Sequence, residues 1–212
     1  SRGLGDVYKR QLVYQEGIYN GYKYTETRYE DYVTGRAKTG DYDYEKVVTY
    51  PFGYGLSYSE FEYSDMQVTE NDDATYTVTV NVTNTSDTDG KEVVQVYLQK
   101  PYTAKDIENG VEKAAVELIG FTKVEVPAKT TVPATITVRE KYFAAYDANV
   151  EKTYVIGSDN ADDKYLLTVA KDSHDAVNNI LKYKADNGVA VDTDKMAFND
   201  HRGPVSYTHL RA

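Results

Sequence analysis

Four short runs of this chain carry residue types able to do chemistry. Asp41, Asp43 and Glu45 alternate with Tyr42 and Tyr44, a spacing that puts the acids on one face of an extended strand. Such carboxylates are hard oxygen ligands for a cation, but no glycine turn or further ligand completes a coordination loop. A solvated face accounts for them better. Asp87-Thr88-Asp89-Gly90 opens like a calcium loop, yet Leu98 stands where the bidentate carboxylate must be. It reads instead as a hairpin turn of the Asp-Gly kind. His174 opens a helical pattern; with no partner carboxylate or nucleophile in view, it reads as a surface or capping residue. Tyr24-Thr25-Glu26-Thr27-Arg28-Tyr29-Glu30-Asp31 mixes carboxylates, a guanidinium and phenols. It reads as a loop whose charges are either solvated or turned to a polar ligand.

The elements that must position these residues are mostly strands. Thr75 to Val82, TYTVTVNV, alternates strictly, the mark of a half-buried strand. Phe61 to Thr69 precedes it, and Val93 to Leu98, Val116 to Val126 and Thr131 to Val138 follow. Tyr142 to Tyr146, Tyr154 to Ile156 and Tyr165 to Val169 complete the series. Short strands at this spacing predict an antiparallel sandwich of the immunoglobulin or fibronectin kind. The run Ser173 to Ala185 predicts a helix capped by Asp172 or Ser173, with Ala176, Val177, Ile180 and Leu181 as its apolar stripe.

Composition narrows the function. A net charge of −10 and a pI near 4.8 argue against nucleic acid, which calls for a basic stripe, and against electrostatic membrane anchoring. Without cysteine there is no disulfide framework and no thiolate metal site. No metal or cofactor is expected. Tyrosine is the outlier, with 22 Tyr against 5 Phe and no Trp. Its high strand propensity explains these rings better than sugar-stacking platforms do.

Tyr50 to Ser59, YPFGYGLSYS, sets Gly53 and Gly55 inside a run of rings behind Pro51. Rings need a surface to pack on, so Pro51, Phe52, Gly53, Tyr54 and Gly55 are expected to form a packed junction between two domains. This run, followed by FEYSD, resembles the junction of family 3 glycoside hydrolases, the β-glucosidase and β-xylosidase group. There it joins an α/β sandwich domain to a fibronectin type III-like domain. Tyr14 to Tyr24, YQEGIYNGYKY, resembles the last part of the α/β domain, with Lys23 where many members have arginine. GKEVVQVYL, ELIGFTKV and KYLLTVA resemble the accessory domain strand by strand.

The resemblance implies a mainly β chain: a partial α/β segment (12–49), the junction (50–60), a fibronectin type III-like sandwich (61–171), then a helix and linker toward a following domain (172–203). That tail resembles members in which the catalytic barrel follows the sandwich. Residues 1–11 and 204–212 resemble translated adapter sequence and are expected to be non-native ends, which would make the chain a piece of a longer, bacterial protein. Retaining glycosidases use two carboxyl groups about 5 Å apart. In this family the nucleophile is a barrel aspartate and the acid/base a glutamate upstream of Leu12, so no catalytic residue is carried over. Glu16 belongs to the separate EGIYNGY motif. Tyr24, Glu26 and Arg28 are left as candidate substrate-proximal residues that would hydrogen-bond sugar hydroxyls. The expected role is structural, within a β-glucosidase-like enzyme acting on an oligosaccharide or β-glucoside and in contact with its catalytic domains. The alternative is a carbohydrate-binding or cell-surface adhesion module. It would expose an aromatic platform on one sheet face, against which the missing Trp weighs.

Overall fold

The computed structural model describes residues 17–157, 160, 163–197 and 203–208. Its strands are β1 (Phe61–Glu70), β2 (Thr75–Asn84), β3 (Gly90–Gln99), β4 (Glu117–Val126), β5 (Thr131–Arg139), β6 (Ala145–Asp147), β7 (Thr153–Val155), β8 (Tyr165–Ala170) and β9 (Val205–Thr208). Its α-helices are α1 (Tyr22–Thr34), α2 (Tyr44–Val47), α3 (Ala104–Asn109) and α4 (Ser173–Asp186). One sheet runs β1-β2-β5, the facing sheet runs β4-β3-β8-β9, and β6-β7 form a separate ribbon. Every pairing is antiparallel. The chain is the mainly β sandwich that its alternating strands predict.

Strand β2 shows why. Its period of two sends Tyr76, Val78, Val80 and Val82 inward while the intervening residues stay half-exposed. They meet Ala134, Ile136 and Val138 of β5 and, across the sandwich, Val94, Val96, Leu98, Leu167 and Val169. Each fully buried valine contributes about 1.5–3 kcal/mol of transfer free energy.

β3 and β8 differ from β2 because both their faces are covered. Val94–Gln99 are buried without a break, and so is all of β8. The second face lies under α1 and α4, where Tyr29, Val33, Ala176, Val177, Ile180 and Leu181 pack on Tyr97, Ala115, Val116, Leu166 and Ala170. A third, helical layer therefore sits on the outside of one sheet. Residues 22–34 thus have a surface to pack on, and the predicted helix, at residues 173–186, packs on the same sheet.

Other local expectations are corrected. Tyr24 to Asp31 is helix, not loop. Asp41 to Glu45 is not a strand: Asp43 caps α2 by accepting from the Lys46 amide, and Tyr42 and Tyr44 turn inward. Asp89-Gly90 closes no hairpin, since β2 and β3 lie in different sheets. Buried Asn84 directs this crossover, donating to the Thr88 and Val126 carbonyls, both at 2.9 Å. Residues 140–143 form a 3₁₀ turn that drives Phe143 into the core, so the strand begins only at Ala145. Val205–Thr208, for which the sequence predicts no element, pairs with β8.

Charge also ties α1 to the sheet. Glu117 on β4 meets Lys23 of α1 at 2.9 Å and Lys100 at 2.8 Å. Burial alone would raise the Glu117 carboxyl, but the two ammonium groups outweigh it and hold the group below its ordinary 4.5. A carboxyl whose folded pKa is depressed stabilises the fold above the ordinary value, and loses that contribution as pH falls through the folded one. Glu117→Gln is expected to cost about 1.5–3 kcal/mol near neutrality. Its urea midpoint should approach that of the unmodified chain below about pH 4.5. A gap of constant size between pH 7 and about pH 3 would remove the ion triad from the account.

Candidate functional site

Helix α1 separates the three candidate residues on it. Positions two apart on a helix do not share a face. Tyr24 and Arg28, four apart, do: the guanidinium donates to the Tyr24 hydroxyl at 3.4 Å and the Thr39 carbonyl at 3.0 Å, and lies over the Tyr42 ring. Glu26 points the other way and is 0 % exposed. The structure does not assemble Tyr24, Glu26 and Arg28 into one site. Glu16 and His201 lie outside the described residues.

Glu26 is instead the centre of a buried polar cluster. Its Oε1 accepts from the Tyr44 hydroxyl at 2.5 Å and the Ser173 hydroxyl at 2.9 Å, and its Oε2 lies 2.9 Å from His174 Nδ1. The imidazole stacks on Tyr44 with ring centres 3.7 Å apart, and Tyr29 leans on it at 4.5 Å. Burial, reinforced by the Glu26 charge, pushes the Tyr44 phenol up. His174 is thus neither a surface nor a capping residue. The cap is Asp172, which accepts from the amides of His174 and Asp175, and burial raises its own carboxyl.

A serine, a histidine and a carboxylate lie within hydrogen-bond reach here, but not in the order nucleophilic catalysis needs. There the base must take the nucleophile's proton, whereas Ser173 donates to the carboxylate and bypasses the imidazole. All three side chains are buried. The cluster joins helices, and its bonding order is not that of an acyl-transfer triad. Its signal in the sequence was the spacing of Tyr22, Glu26, Tyr29 and Val33, a single helical stripe with one carboxylate set in it. Among the described residues no group of three or more His, Cys, Asp or Glu is placed to hold a metal ion.

The junction leans on this cluster. The Phe52 carbonyl accepts from the Ser173 amide at 2.8 Å, and the Gly53 carbonyl from Gln95 Nε2 at 3.1 Å. Gln95 also donates to the Lys171 carbonyl and accepts from the Tyr97 hydroxyl at 2.8 Å. The backbone of residues 52–53 is therefore fixed on the β3 face. Gly53 has φ +88°, and a Cβ there would land on Gln95 Oε1 and lie 2.9 Å from the Tyr97 hydroxyl.

Within this chain the junction side chains are only partly covered. Phe52 stacks on Tyr22 at 4.4 Å but stays 45 % exposed. Tyr50 and Tyr54 stack on each other and face outward, Leu56 is 89 % exposed, and Tyr58 is fully exposed. Gly55 has an ordinary backbone and open space where a Cβ would go. These rings stand beside an open groove of ≈ 970 Å³ lined by Tyr50, Tyr54, Leu56, Glu92, Phe121 and Lys171 among others. Burial pushes up the Glu92 carboxyl on its wall, which accepts from the Tyr63 hydroxyl at 2.5 Å. The junction's backbone is seated and its rings form a free ridge.

The two glycines should therefore part company. Gly53→Ala is expected to cost more than about 1 kcal/mol for the left-handed backbone, with roughly 1–3 kcal/mol added by the displaced Gln95. Gly55→Ala should leave the urea midpoint unchanged. Half-exposed Phe52 should lose about 1–2 kcal/mol on truncation to alanine, less than the 3–5 kcal/mol of a buried ring. Equal effects of the two glycine substitutions would show that the backbone seat on Gln95 is not what fixes the junction.

Comparison with known proteins matches this geometry. Residues 92–159 match the model of the fibronectin type III-like domain. The chain is 30 % identical over 170 residues to thermostable β-glucosidase B of Acetivibrio thermocellus, covering 79 % of this chain and 19 % of that protein. It is 34 % identical over 167 residues to an exo-α-(1→6)-L-arabinopyranosidase of Bifidobacterium longum, covering 79 % and 18 %. The crystal structure of a Bifidobacterium adolescentis GH3 β-glucosidase superposes with a TM-score of 0.57 at 31 % identity, over 76 % of this chain and 20 % of that one. The chain thus spans about a fifth of the length of the relatives it matches. The chain carries a fibronectin type III-like domain, and its homologues include family 3 glycoside hydrolases.

Proposed function

We propose that this chain is a non-catalytic, structural part of a retaining β-glycosidase of the β-glucosidase kind. On this reading residues 12–49 close the α/β sandwich domain, residues 61–171 are the accessory sandwich, and the two buttress catalytic domains that lie elsewhere in the protein. The carrying observation is the ridge of Tyr50, Tyr54, Leu56 and Tyr58, exposed beside an open groove on a backbone held at Phe52 and Gly53. A rigid seat under unsatisfied rings fits a surface that another domain covers. The chain's span of about a fifth of its relatives leaves such a domain to be supplied. Tyr24 and Arg28 remain the candidates for a place near the substrate of that whole protein; Glu26, sealed from solvent, does not.

One observation favours a second reading. Stacked, exposed Tyr50 and Tyr54 are also what a carbohydrate-binding module would present to a sugar ring. One pair of measurements separates the two. The chain should release no nitrophenol from an aryl β-glucoside above the buffer rate, and cello-oligosaccharides should leave the Tyr50, Tyr54 and Tyr58 resonances in place. Saturable shifts of those resonances would favour the binding module. Turnover abolished by Arg28→Ala or Glu16→Gln would overturn the non-catalytic reading.

A further inference from the structure

We propose that Asn20–Gly21 is a site of spontaneous covalent modification, where the asparagine loses its side-chain amide and leaves a carboxylate beside the uncapped N-terminus of α1. The sequence holds three Asn-Gly pairs: Asn20–Gly21, Asn109–Gly110 and Asn187–Gly188. In each, the glycine's missing Cβ lets its amide nitrogen approach the asparagine side chain. The fold shields two of the pairs and leaves the first open.

Asn109 ends α3, and its side-chain amide donates to Asp147 Oδ2 at 2.7 Å, while the Gly110 amide donates to the Ile107 carbonyl at 3.3 Å. Asn187 follows α4. Its side-chain amide donates to the Tyr183 carbonyl at 2.8 Å, and the Gly188 amide to the Ala185 carbonyl at 3.1 Å. Both the leaving group and the attacking nitrogen are therefore held at these two pairs. Asn20 differs. It is exposed, and among the described residues neither its side chain nor the Gly21 amide makes a hydrogen bond. Nothing lies within 4 Å of the place a Cβ on Gly21 would take, so the Asn20 side chain has room to swing toward the Gly21 nitrogen.

The Gly21 nitrogen gives up its proton and bonds to Asn20 Cγ, and the Cγ–Nδ2 bond breaks to release ammonia. Water then opens the cyclic imide. Cleavage of the new N–Cγ bond gives aspartate, and cleavage of the old backbone C–N bond gives isoaspartate. The net change is amide plus water to acid plus ammonia, with no other reactant. The place matters because α1 starts behind Gly21 with no side-chain cap and no acid in its first turn. A carboxylate at position 20 lies near the positive end of the helix dipole and stabilises it. The isoaspartate form instead lengthens the main chain and displaces the Asn20 carbonyl, which accepts from the Lys23 amide at 3.1 Å. Lys23 carries the ion pair to Glu117, so the change reaches the contact between α1 and the sheet.

The test incubates the full-length chain in warm, mildly alkaline buffer, folded and in urea, and maps its peptides by mass spectrometry. For each Asn-Gly pair the conversion rate in the folded chain is divided by the rate in urea. The ratio should stay near unity at Asn20 and fall by roughly tenfold or more at Asn109 and Asn187, where a local opening must come first. A ratio at Asn20 as low as at the other two overturns the proposal. Hydrogen exchange of the first turn of α1 is the second readout. The Lys23 and Tyr24 amides should exchange more slowly in Asn20→Asp than in the unmodified chain, and faster in the separated isoaspartate fraction. Asn20→Gln, which keeps an amide but cyclises far more slowly, should show neither change after the same incubation. Equal protection in all these forms overturns the link to α1.

Discussion

A carboxylate with no solvent contact sits where three helices meet, and much of the helical layer depends on it. Removing an ion from water costs several kcal/mol even after relaxation, so Glu26 is tolerable only with its oxygens occupied. Tyr44 from α2, with Ser173 and His174 from the first turn of α4, supply the contacts. The arrangement fixes the register of α1 against α4, because a slip along either helix would strand the charge. Ser173 then passes the constraint on. Its hydroxyl serves Glu26 while its amide holds the Phe52 carbonyl, and from Gly53 the contact continues through Gln95 to β3.

The consequence is a β-sandwich with one face converted into a platform. Ordinarily a two-sheet sandwich buries one face of each strand and leaves the other to water. Here β3 and β8 are closed on both sides, and the helical layer ends in the ridge of residues 50–58. Gln95, Tyr97 and Gln99 are polar residues that this arrangement buries in β3, and each meets a partner from outside the sheet: Gln99, for instance, donates to Glu30 and to the Ala115 carbonyl. Polar groups pinned in this way hold an interface in one geometry. That suits the proposed role of a buttress better than a role in turnover.

The sandwich was legible because period-two alternation is local: TYTVTVNV states its own burial. The helical layer was less so. Glu26 and His174 lie far apart in sequence, and a carboxylate inside a tyrosine-rich run looks like surface charge until its partners are known. The alternating charges of the run 24–31 look like a loop, although Tyr22, Tyr29 and Val33 mark a helix face. The junction was half legible. Its glycines were noticed, but only Gly53 faces a side chain that a Cβ would strike. Its rings were expected to be packed because rings usually are, while the surface they would need is absent from this chain. β9 is only four residues long, and so short a run gives little alternation to read.

Native-state hydrogen exchange on the unmodified chain and on Glu26→Gln tests the central claim most directly. If the buried carboxylate holds the layer together, amides from Tyr29 to Val33 and from Ala176 to Leu181 should open with a common free energy in the unmodified chain. Both sets should lose protection together in Glu26→Gln while Val78 to Val82 of β2 stay slow. Fast exchange of α1 beside a protected α4 in the unmodified chain, or an α4 indifferent to Glu26→Gln, would contradict it.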